Sequence, residues 1–266
     1  MKLTMLGTGN AAVTECYNTC FLLENNNGLL LVDGGGGNEI LRRIRLAGYD
    51  LTDIRHIFVT HKHIDHLLGV VWMVRMICQG MSRGGYEGDA YIYSHREVLG
   101  LLRDLAEKLL PKKVAAFVDT RLHLVEVSDG ETVNIIGRDF TFFDIHSTKA
   151  KQFGFRMALE NGKTLVCCGD EPLPAAAEPY AAGCEWMLHE AFCLDSQADI
   201  FHPYEKNHST VKDACMLAER LGVKNLLLYH TEDRNLSQRK QLYAKEGAQY
   251  YHGALWVPDD LERICL

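Results

Sequence analysis

The sequence lacks an excess of positive charge, a paired cysteine motif and a long apolar run. The net charge of −7 and the pI of about 5.9 argue against a protein that binds nucleic acid without sequence preference, because such proteins usually present a basic domain. None of the nine cysteines forms a CxxC pair, so reduced, mostly buried thiols in a cytoplasmic protein are expected. No apolar stretch approaches the roughly 18 residues of a membrane span. None follows Lys2 as it would in a secretory signal peptide.

The densest chemical signal is the short stretch from Thr60 to His66. Three imidazoles and one carboxylate lie within it, at His61, His63, Asp65 and His66. The stretch follows a predicted strand and precedes an apolar helix, so a tight turn would present all four side chains at one end of a sheet. Neutral imidazole and carboxylate are ligands that Zn²⁺ and similar divalent ions accept. With only 12 histidines in the chain, this clustering predicts a metal site.

Short strands and helices alternate along the rest of the chain without a linker or a repeat, so residues 1–266 are predicted to form one domain. The glycines at positions 34–37 allow the backbone to pass close to another group. A loop packed beside the metal site is favoured over a phosphate-binding loop, because neither a GxGxxG context nor a P-loop lysine is present. The helix after the histidine stretch is predicted to end near Cys78 and to be buried almost all round. Residues 79–88 are predicted to form a mobile loop.

Candidate ligands recur at the carboxyl ends of predicted strands, where sites form in α/β architectures. Outside the histidine stretch, the residues in this position are Asp33, His146, Asp170, Glu190 and His230. Seven side chains could build two metal sites at one rim. One site would use His61, His63 and His146, the other would use Asp65, His66 and His230, and Asp170 would bridge the two. Paired ions about 3.5–4 Å apart suit hydrolysis, in which a bridging hydroxide attacks and the ions hold the developing charge.

This ligand set, taken in chain order, resembles the metallo-β-lactamase superfamily. The matching positions are Asp33, His61-x-His63-x-Asp65-His66, His146, Asp170 and His230, and they extend over nearly the whole chain. The resemblance implies an α/β fold of the αββα sandwich type, with the metal site at the edge of two stacked sheets. It also implies that Asp33 supports the site without binding metal.

Within the superfamily, the chain is most similar to the ribonuclease Z branch. The residues that carry this likeness are Leu6-Gly7-Thr8-Gly9, Asn18, His189-Glu190-Ala191 and His208-Ser209-Thr210. The resemblance implies that His208 donates a proton to the leaving oxygen and that Glu190 orients it. A histidine–carboxylate pair suits this role, because the carboxylate fixes the tautomer and supports an imidazolium. The predicted catalytic residues are therefore Asp65, His208 and Glu190. The alternative is that Glu190 makes a surface ion pair and His208 only precedes a helix.

Two departures from tRNA-processing enzymes change the expected substrate. The stretch between His146 and Asp170 is too short for the long arm with which that branch grips tRNA, and Ile64 replaces the small residue before the motif aspartate. A small nucleotide, cyclic nucleotide or other phosphodiester is therefore expected. Lys149, Lys151 and Arg156 could contact its phosphate or could form a solvated face.

The expected cofactors are two divalent metal ions, most simply zinc, with manganese or iron also compatible with a His/Asp set. The expected partner is a small phosphodiester substrate, RNA is a weaker expectation, and no membrane is expected. A homodimer is expected because dimers are common in general and in this branch. The other functions that remain open are tRNA 3′-end cleavage, lactonase, thioesterase or sulfatase activity, and a metal-dependent ligand sensor without turnover. The loop 194–207 could cover the pocket.

Overall fold

The structure, a computed structural model, describes residues 1–266 and contains two seven-stranded sheets. The first sheet has the order β14-β1-β2-β3-β4-β5-β6. Its strands are β1 (Lys2–Gly7), β2 (Cys20–Asn25), β3 (Gly28–Val32), β4 (Ile54–Phe58), β5 (Ala90–Ser94), β6 (Leu122–Glu126) and β14 (Arg263–Cys265). Strands β3 to β6 run parallel to one another, so their carboxyl ends lie along one edge.

The second sheet has the order β13-β12-β11-β10-β9-β8-β7. Its strands are β7 (Thr132–Ile135), β8 (Arg138–Asp144), β9 (Phe153–Ala158), β10 (Thr164–Cys167), β11 (Trp186–Glu190), β12 (Asn225–Tyr229) and β13 (Ala254–Trp256). Strands β7 to β10 are antiparallel neighbours. Strands β10 to β13 are parallel, which again collects several carboxyl ends at one edge.

The helices lie on the outer faces of the stacked sheets. They are α1 (Glu39–Leu46), α2 (Ile64–Arg83), α3 (Arg96–Leu109), α4 (Lys112–Ala115), α5 (Glu178–Ala181), α6 (Ala198–Phe201), α7 (Val211–Arg220) and α8 (Arg239–Gly247). One apolar cluster joins the first sheet to α1–α4, a second fills the space between the sheets, and a third joins the second sheet to α5, α7 and α8. The layers are therefore αββα, as predicted.

Side chains alternate between the two faces along each strand, so each sheet contributes residues to two apolar clusters. Cys167 belongs to the cluster between the sheets, whereas its neighbour Cys168 belongs to the cluster under the helices. In the central layer, the ring of Phe58 from the first sheet contacts Phe142 and Phe155 from the second, with ring centroids 4.9 and 5.6 Å apart. Burying such a side chain stabilises the fold by about 1.5–3 kcal/mol. All nine cysteines are free thiols.

The glycine loop passes directly against the start of α2, the helix that carries the candidate ligands Asp65 and His66. The backbone N–H of Gly34 donates to the carbonyl of His66 (2.9 Å), and that of Gly69 donates to Gly35 (2.8 Å). A Cβ placed on Gly69 would overlap the carbonyl oxygen of Gly34, so neither backbone tolerates a side chain at this crossing. The crossing fixes α2, and with it Asp65 and His66, against the first sheet.

Three predictions about local structure are corrected, and one strand is found that the sequence did not predict. Helix α2 continues to Arg83 and ends at a left-handed C-cap, Gly84 (φ 74°), so only residues 84–88 of the predicted loop lie outside the helix. The same helix is not buried all round, since three of its apolar side chains are exposed. The segment 194–207 contains short helical turns. Strand β14 has no strong local signal and forms by pairing with β1. None of the helices combines the length and apolarity needed to cross a bilayer.

Candidate metal centre

Six of the seven predicted ligands lie at one rim because both sheets end their parallel strands there. Asp33 directly follows β3, His61 and His63 follow β4, Asp65 and His66 occupy the first turn of α2, Asp170 follows β10 and His230 directly follows β12. Asp33 (φ 56°) and His230 (φ 57°) both adopt left-handed backbone conformations, which are rare for residues with a side chain. Such conformations persist where the surrounding structure enforces them, often at functional sites.

Six of the seven predicted ligands form two groups that share Asp170. The first group is His61, His63 and Asp170, and the second is Asp65, His66, Asp170 and His230. Within each group the ligand atoms lie within 4.8 Å of one another. Oδ2 of Asp170 lies 3.5 Å from Nε2 of His61, 3.4 Å from Nε2 of His66 and 3.5 Å from Nε2 of His230. Atoms around a tetrahedral Zn²⁺ at about 2.0–2.1 Å are about 3.3 Å apart, so the spacing suits a divalent metal.

Asp33 and Thr60 set the ring orientation of two of these histidines. Asp33 accepts hydrogen bonds from the backbone N–H of Thr60, from its hydroxyl and from Nδ1 of His66, each at 2.8 Å. Because the Thr60 hydroxyl proton goes to Asp33, its oxygen accepts from Nδ1 of His61 (2.9 Å). Both rings therefore direct Nε2 toward Asp170. Metal-binding histidines are commonly oriented in this way, by a hydrogen bond from the other ring nitrogen to a carboxylate or another acceptor. Sequence reasoning missed Thr60, although it opens the histidine motif.

The electrostatics of the rim also suit a cation. Burial alone would lower the pKa of His66, but the neighbouring carboxylates of Asp65 and Asp33 raise this pKa well above its ordinary value. Burial alone would raise the pKa of the Asp170 carboxyl, but His61 and His66 lower it well below its usual range. Nε2 of His66 is buried without a hydrogen-bond partner. The negative charge of these carboxylates favours a positive charge at the buried imidazole. A metal ion bound to that nitrogen would satisfy the same preference in place of the proton.

His146 is the predicted ligand that the structure does not bring to the rim. The chain leaves β8 in a left-handed conformation at His146 (φ 54°), and its side chain is 61% exposed. Its nearest acidic partner is Asp144, 3.9 Å away. The following Ser147 hydroxyl donates to Glu171 (2.9 Å), the residue after Asp170, while neither ligand group includes His146. The role of His146 as a ligand therefore stays a prediction.

His208 and Glu190 face each other beside the second group. Nδ1 of His208 lies 3.5 Å from Oε2 of Glu190, and both atoms are buried without another partner. The backbone N–H of Ser209 donates to the other oxygen of Glu190 (2.5 Å). The His208 ring stacks on Phe192, with ring centroids 4.9 Å apart and planes 15° apart. Helix α7 begins just after this point with a capping box between Thr210 and Asp213.

A cavity of about 540 Å³ opens onto these groups. Its polar wall includes Asp65, Asp170, His208 and His230, and its apolar wall includes Ile64, Phe192, Ala11 and Ala12. Three cations line it, Lys62, Lys149 and Lys206, of which only Lys149 was predicted to contact substrate. Lys151 instead lies 3.8 Å from Asp144, outside this cavity. A larger, shallow hollow of about 740 Å³ between α1 and α2 contains none of the candidate ligands.

Solved structures share this fold over the whole chain. The metallo-β-lactamase-fold protein YhfI from Bacillus subtilis superposes with a TM-score of 0.79 at 16% identity, covering 99% of this chain and 98% of YhfI. The short form of human tRNase Z superposes with a TM-score of 0.74 at 19% identity, covering 100% and 99%. A diphosphatase of the PhnP family gives a TM-score of 0.72 at 17% identity, covering 100% of this chain and 98% of that one. The protein therefore has the metallo-β-lactamase fold.

Sequence relatives narrow the class. Ribonuclease Z of Brevibacillus brevis is 25% identical over 321 residues, covering 99% of this chain and 96% of that enzyme. Ribonuclease Z of Mycolicibacterium paratuberculosis is 26% identical over 246 residues, covering 85% and 84%. A shorter match to ribonuclease Z of Shouchella clausii reaches 37% over 87 residues, 33% of this chain and 27% of that enzyme. With the two ligand groups, these relatives define a ribonuclease Z-like, metal-dependent hydrolase.

A family model adds a more specific assignment. The model described as anti-Pycsar protein Apyc1 matches residues 1–250. The chain therefore belongs to the Apyc1 family.

Proposed function

We propose that this protein is a dinuclear metal-dependent phosphodiesterase that acts on a small nucleotide or another small phosphodiester. The observation that carries the proposal is the His208–Glu190 pair, which lines the same cavity as the group that contains Asp65, Asp170 and His230. A buried histidine–carboxylate pair beside a metal-ligand cluster supplies a proton donor where a hydrolase needs one.

The ligand geometry supports two ions. The two groups share only Asp170, whose Oδ2 faces imidazoles of both. Histidine and aspartate without cysteine suit zinc, and also manganese or iron. When bound, such ions would lower the pKa of water and neutralise charge on phosphoryl oxygens. The chain's own contribution is to keep the ligands oriented, through Asp33 and Thr60, and to hold Asp65 and Asp170 ionised beside the imidazoles.

His208 can act as a general acid because its ring is held on both sides. Glu190, fixed by the Ser209 N–H, faces Nδ1, which leaves Nε2 as the ring nitrogen available to the cavity. With Nδ1 directed at the carboxylate, Nε2 is the ring atom from which a proton can pass to a leaving oxygen. Stacking on Phe192 fixes the plane of the ring.

The cavity supports a small anionic substrate. Its volume lies in the range of about 300–1,000 Å³ typical of small-molecule sites. Lys62, Lys149 and Lys206 bring positive charge to a protein whose net charge is −7, and a phosphodiester carries the negative charge that they would attract. The alignment to the Brevibacillus brevis enzyme spans 321 residues, more than the length of this chain, so that enzyme carries segments that this chain lacks.

We expect the purified protein with Zn²⁺ or Mn²⁺ to hydrolyse bis-p-nitrophenyl phosphate and to lose that activity on chelation. His208→Ala should lower kcat by about 10²–10⁴-fold, the usual contribution of a general acid, on a cyclic nucleotide, whose alkoxide leaving group needs a proton, while its metal content, measured by elemental analysis, stays at the wild-type level. His252→Ala is the matched control, because that histidine is 81% exposed and pairs with Glu219 far from the cavity.

Other substrates decide between this proposal and the remaining candidates. Full activity in His208→Ala would remove the assigned role of that residue. Turnover of thioesters or lactones without phosphodiester turnover would favour the esterase alternatives, and precursor tRNA cleavage would restore 3′-end processing. Tight binding of a nucleotide without turnover of any substrate class would indicate a sensor.

We also propose a homodimer that forms through the exposed apolar ridge of α2. Ile64, Leu68 and Trp72 recur every four residues on one helix face and are 68%, 38% and 38% exposed. A two-fold axis near Leu68 would place the ridge against itself in an antiparallel arrangement, which gives the self-complementary patch that a symmetric dimer requires.

Light scattering during size-exclusion chromatography should therefore give twice the 30.0 kDa chain mass. Leu68→Glu should reduce the mass to that of one chain, and Met216→Glu, which changes an exposed residue of α7, should not. A monomeric wild-type protein would contradict the dimer.

A further inference from the structure

Gln152 is a buried amide that contacts two candidate metal ligands. It immediately precedes β9, its side chain is almost inaccessible to solvent, and its carbonyl accepts a hydrogen bond from the N–H of Ile145 (3.1 Å). Its Nε2 donates to Oδ1 of Asp170 and lies 2.8 Å from Nδ1 of His61. Its Oε1 is buried without a hydrogen-bond partner. Glutamine is not among the usual metal ligands, so sequence reasoning did not single it out.

Because of this contact, the two oxygens of the Asp170 carboxylate have different partners. Oδ1 is held by the Gln152 amide, whereas Oδ2 faces the imidazoles of both ligand groups at 3.4–3.5 Å. A carboxylate without such an anchor can rotate about its bond to the Cβ and exchange the two oxygens. A neutral amide fixes the rotation without adding charge, whereas a lysine at this position would compete with a bound cation.

The side-chain amide of Gln152 donates its hydrogen bond to Asp170 and not to His61. The Thr60 hydroxyl gives its proton to Asp33 and accepts the Nδ1 proton of His61, so that ring edge already has its partner. The orientation of the amide follows from the same contact, because turning its oxygen toward Asp170 would place two acceptors against each other. Gln152 therefore makes its hydrogen bond to Asp170 alone, and its contact with His61 carries no hydrogen bond.

Gly169 provides the space in which the amide lies. It adopts a left-handed conformation (φ 82°), and a Cβ at this position would lie 2.8 Å from Oε1 of Gln152. The residue just before Asp170 is thus shaped both to turn the chain and to admit the amide. Gln152, Gly169 and Asp170 form one packed unit at the end of β10.

We propose that Gln152 is a positioning residue of the metal centre, which orients the Asp170 carboxylate so that one oxygen can serve both ligand groups. The inference rests on the proposed bridging role of Asp170. Outer residues that orient a ligand typically contribute about 10–100-fold to metal affinity, and Gln152 is expected to contribute in this range without contacting the metal.

The test compares Gln152→Met, which keeps the side-chain length and removes the donor, with the wild-type protein. Zinc dissociation constants are measured by competition with a chromogenic chelator, the geometry by the absorption spectrum of the Co²⁺-loaded protein, and the fold by the melting temperature of the metal-free protein. We expect zinc affinity to fall about 10–100-fold and the Co²⁺ spectrum to change, with a melting temperature close to that of the wild type. Gln197→Met is the matched control, because it removes a hydrogen bond that Gln197 accepts from the Asn235 amide outside the ligand groups.

Each remaining outcome is decisive. Zinc affinity within twofold of the wild type, or a lower melting temperature with unchanged zinc affinity and Co²⁺ spectrum, would overturn the positioning role and leave the metal centre standing. If Gln152→Met does not fold, Gln152→Asn takes its place, since its shorter amide cannot reach Asp170. A wild-type protein that binds no divalent metal would instead overturn the proposed function, and this inference with it.

Discussion

Replacing Asp170 by alanine is expected to remove metal from both ligand groups and to abolish measurable phosphodiesterase activity. Asp170 is the residue that the groups share, and its Oδ2 lies 3.4–3.5 Å from three imidazole nitrogens. Bound metal ions supply several kcal/mol of transition-state stabilisation, and each 1.36 kcal/mol corresponds to a factor of ten in rate, so a loss of at least about 10³-fold is expected. Elemental analysis and the bis-p-nitrophenyl phosphate assay on the same preparation measure both effects.

The control for this variant is Asp89→Ala, which removes a half-exposed carboxylate that pairs with His123 away from the rim. Its metal content and rate should match those of the wild type. The Asp170→Ala protein should bind less than one ion per chain even at excess zinc. If it retains two ions per chain, Asp170 does not bridge them, and the two groups must be separate sites.

Much of the rim could be predicted from sequence because parallel strands end together. Asp170 and His230 are 60 positions apart in the chain, yet each follows a buried strand of the same parallel set, so their meeting needs only the strand assignment. Asp65 and His66 follow from a second local rule, since a helix that opens directly after the β4 turn exposes its first turn to the same edge. Periodicity and turn signals are therefore sufficient to place these four candidate ligands at one edge.

The parts that escaped prediction depend on contacts between distant segments. Gln152 is 91 residues from His61, and nothing in its neighbourhood in the sequence marks it as part of a site. Lys206 comes from the segment before His208 and reaches the cavity only because that segment folds over Phe192. The exposure of the His146 side chain goes with a left-handed backbone conformation just after β8, which no local pattern in the sequence marks. Strand β14 pairs with β1 across almost the full chain, which no local pattern encodes.

Gly69→Ala is expected to destabilise the protein strongly and to weaken metal binding at the same time. The new Cβ would overlap the carbonyl oxygen of Gly34, a backbone atom that cannot move aside as a side chain can. Overpacking of this kind costs about 1–3 kcal/mol and occasionally more, and a rigid backbone contact places the cost at the upper end. For a chain of this size, that corresponds to a fall in Tm of roughly 6–12 °C, which differential scanning calorimetry can measure.

The matched control is Gly100→Ala, in the interior of α3, where a Cβ would meet nothing within 4 Å. Alanine there should stabilise the protein by up to about 1 kcal/mol, because glycine is the poorer helix former. The two substitutions add the same methyl group to two helices, so opposite signs would isolate the crossing of Gly34 and Gly69 as the cause. Since the crossing fixes the turn that carries Asp65 and His66, only Gly69→Ala should also lower zinc affinity. Equal stability of the two variants would mean that the backbone of the glycine loop moves aside to admit the new methyl group. In that case α2 would be positioned by its apolar contacts alone.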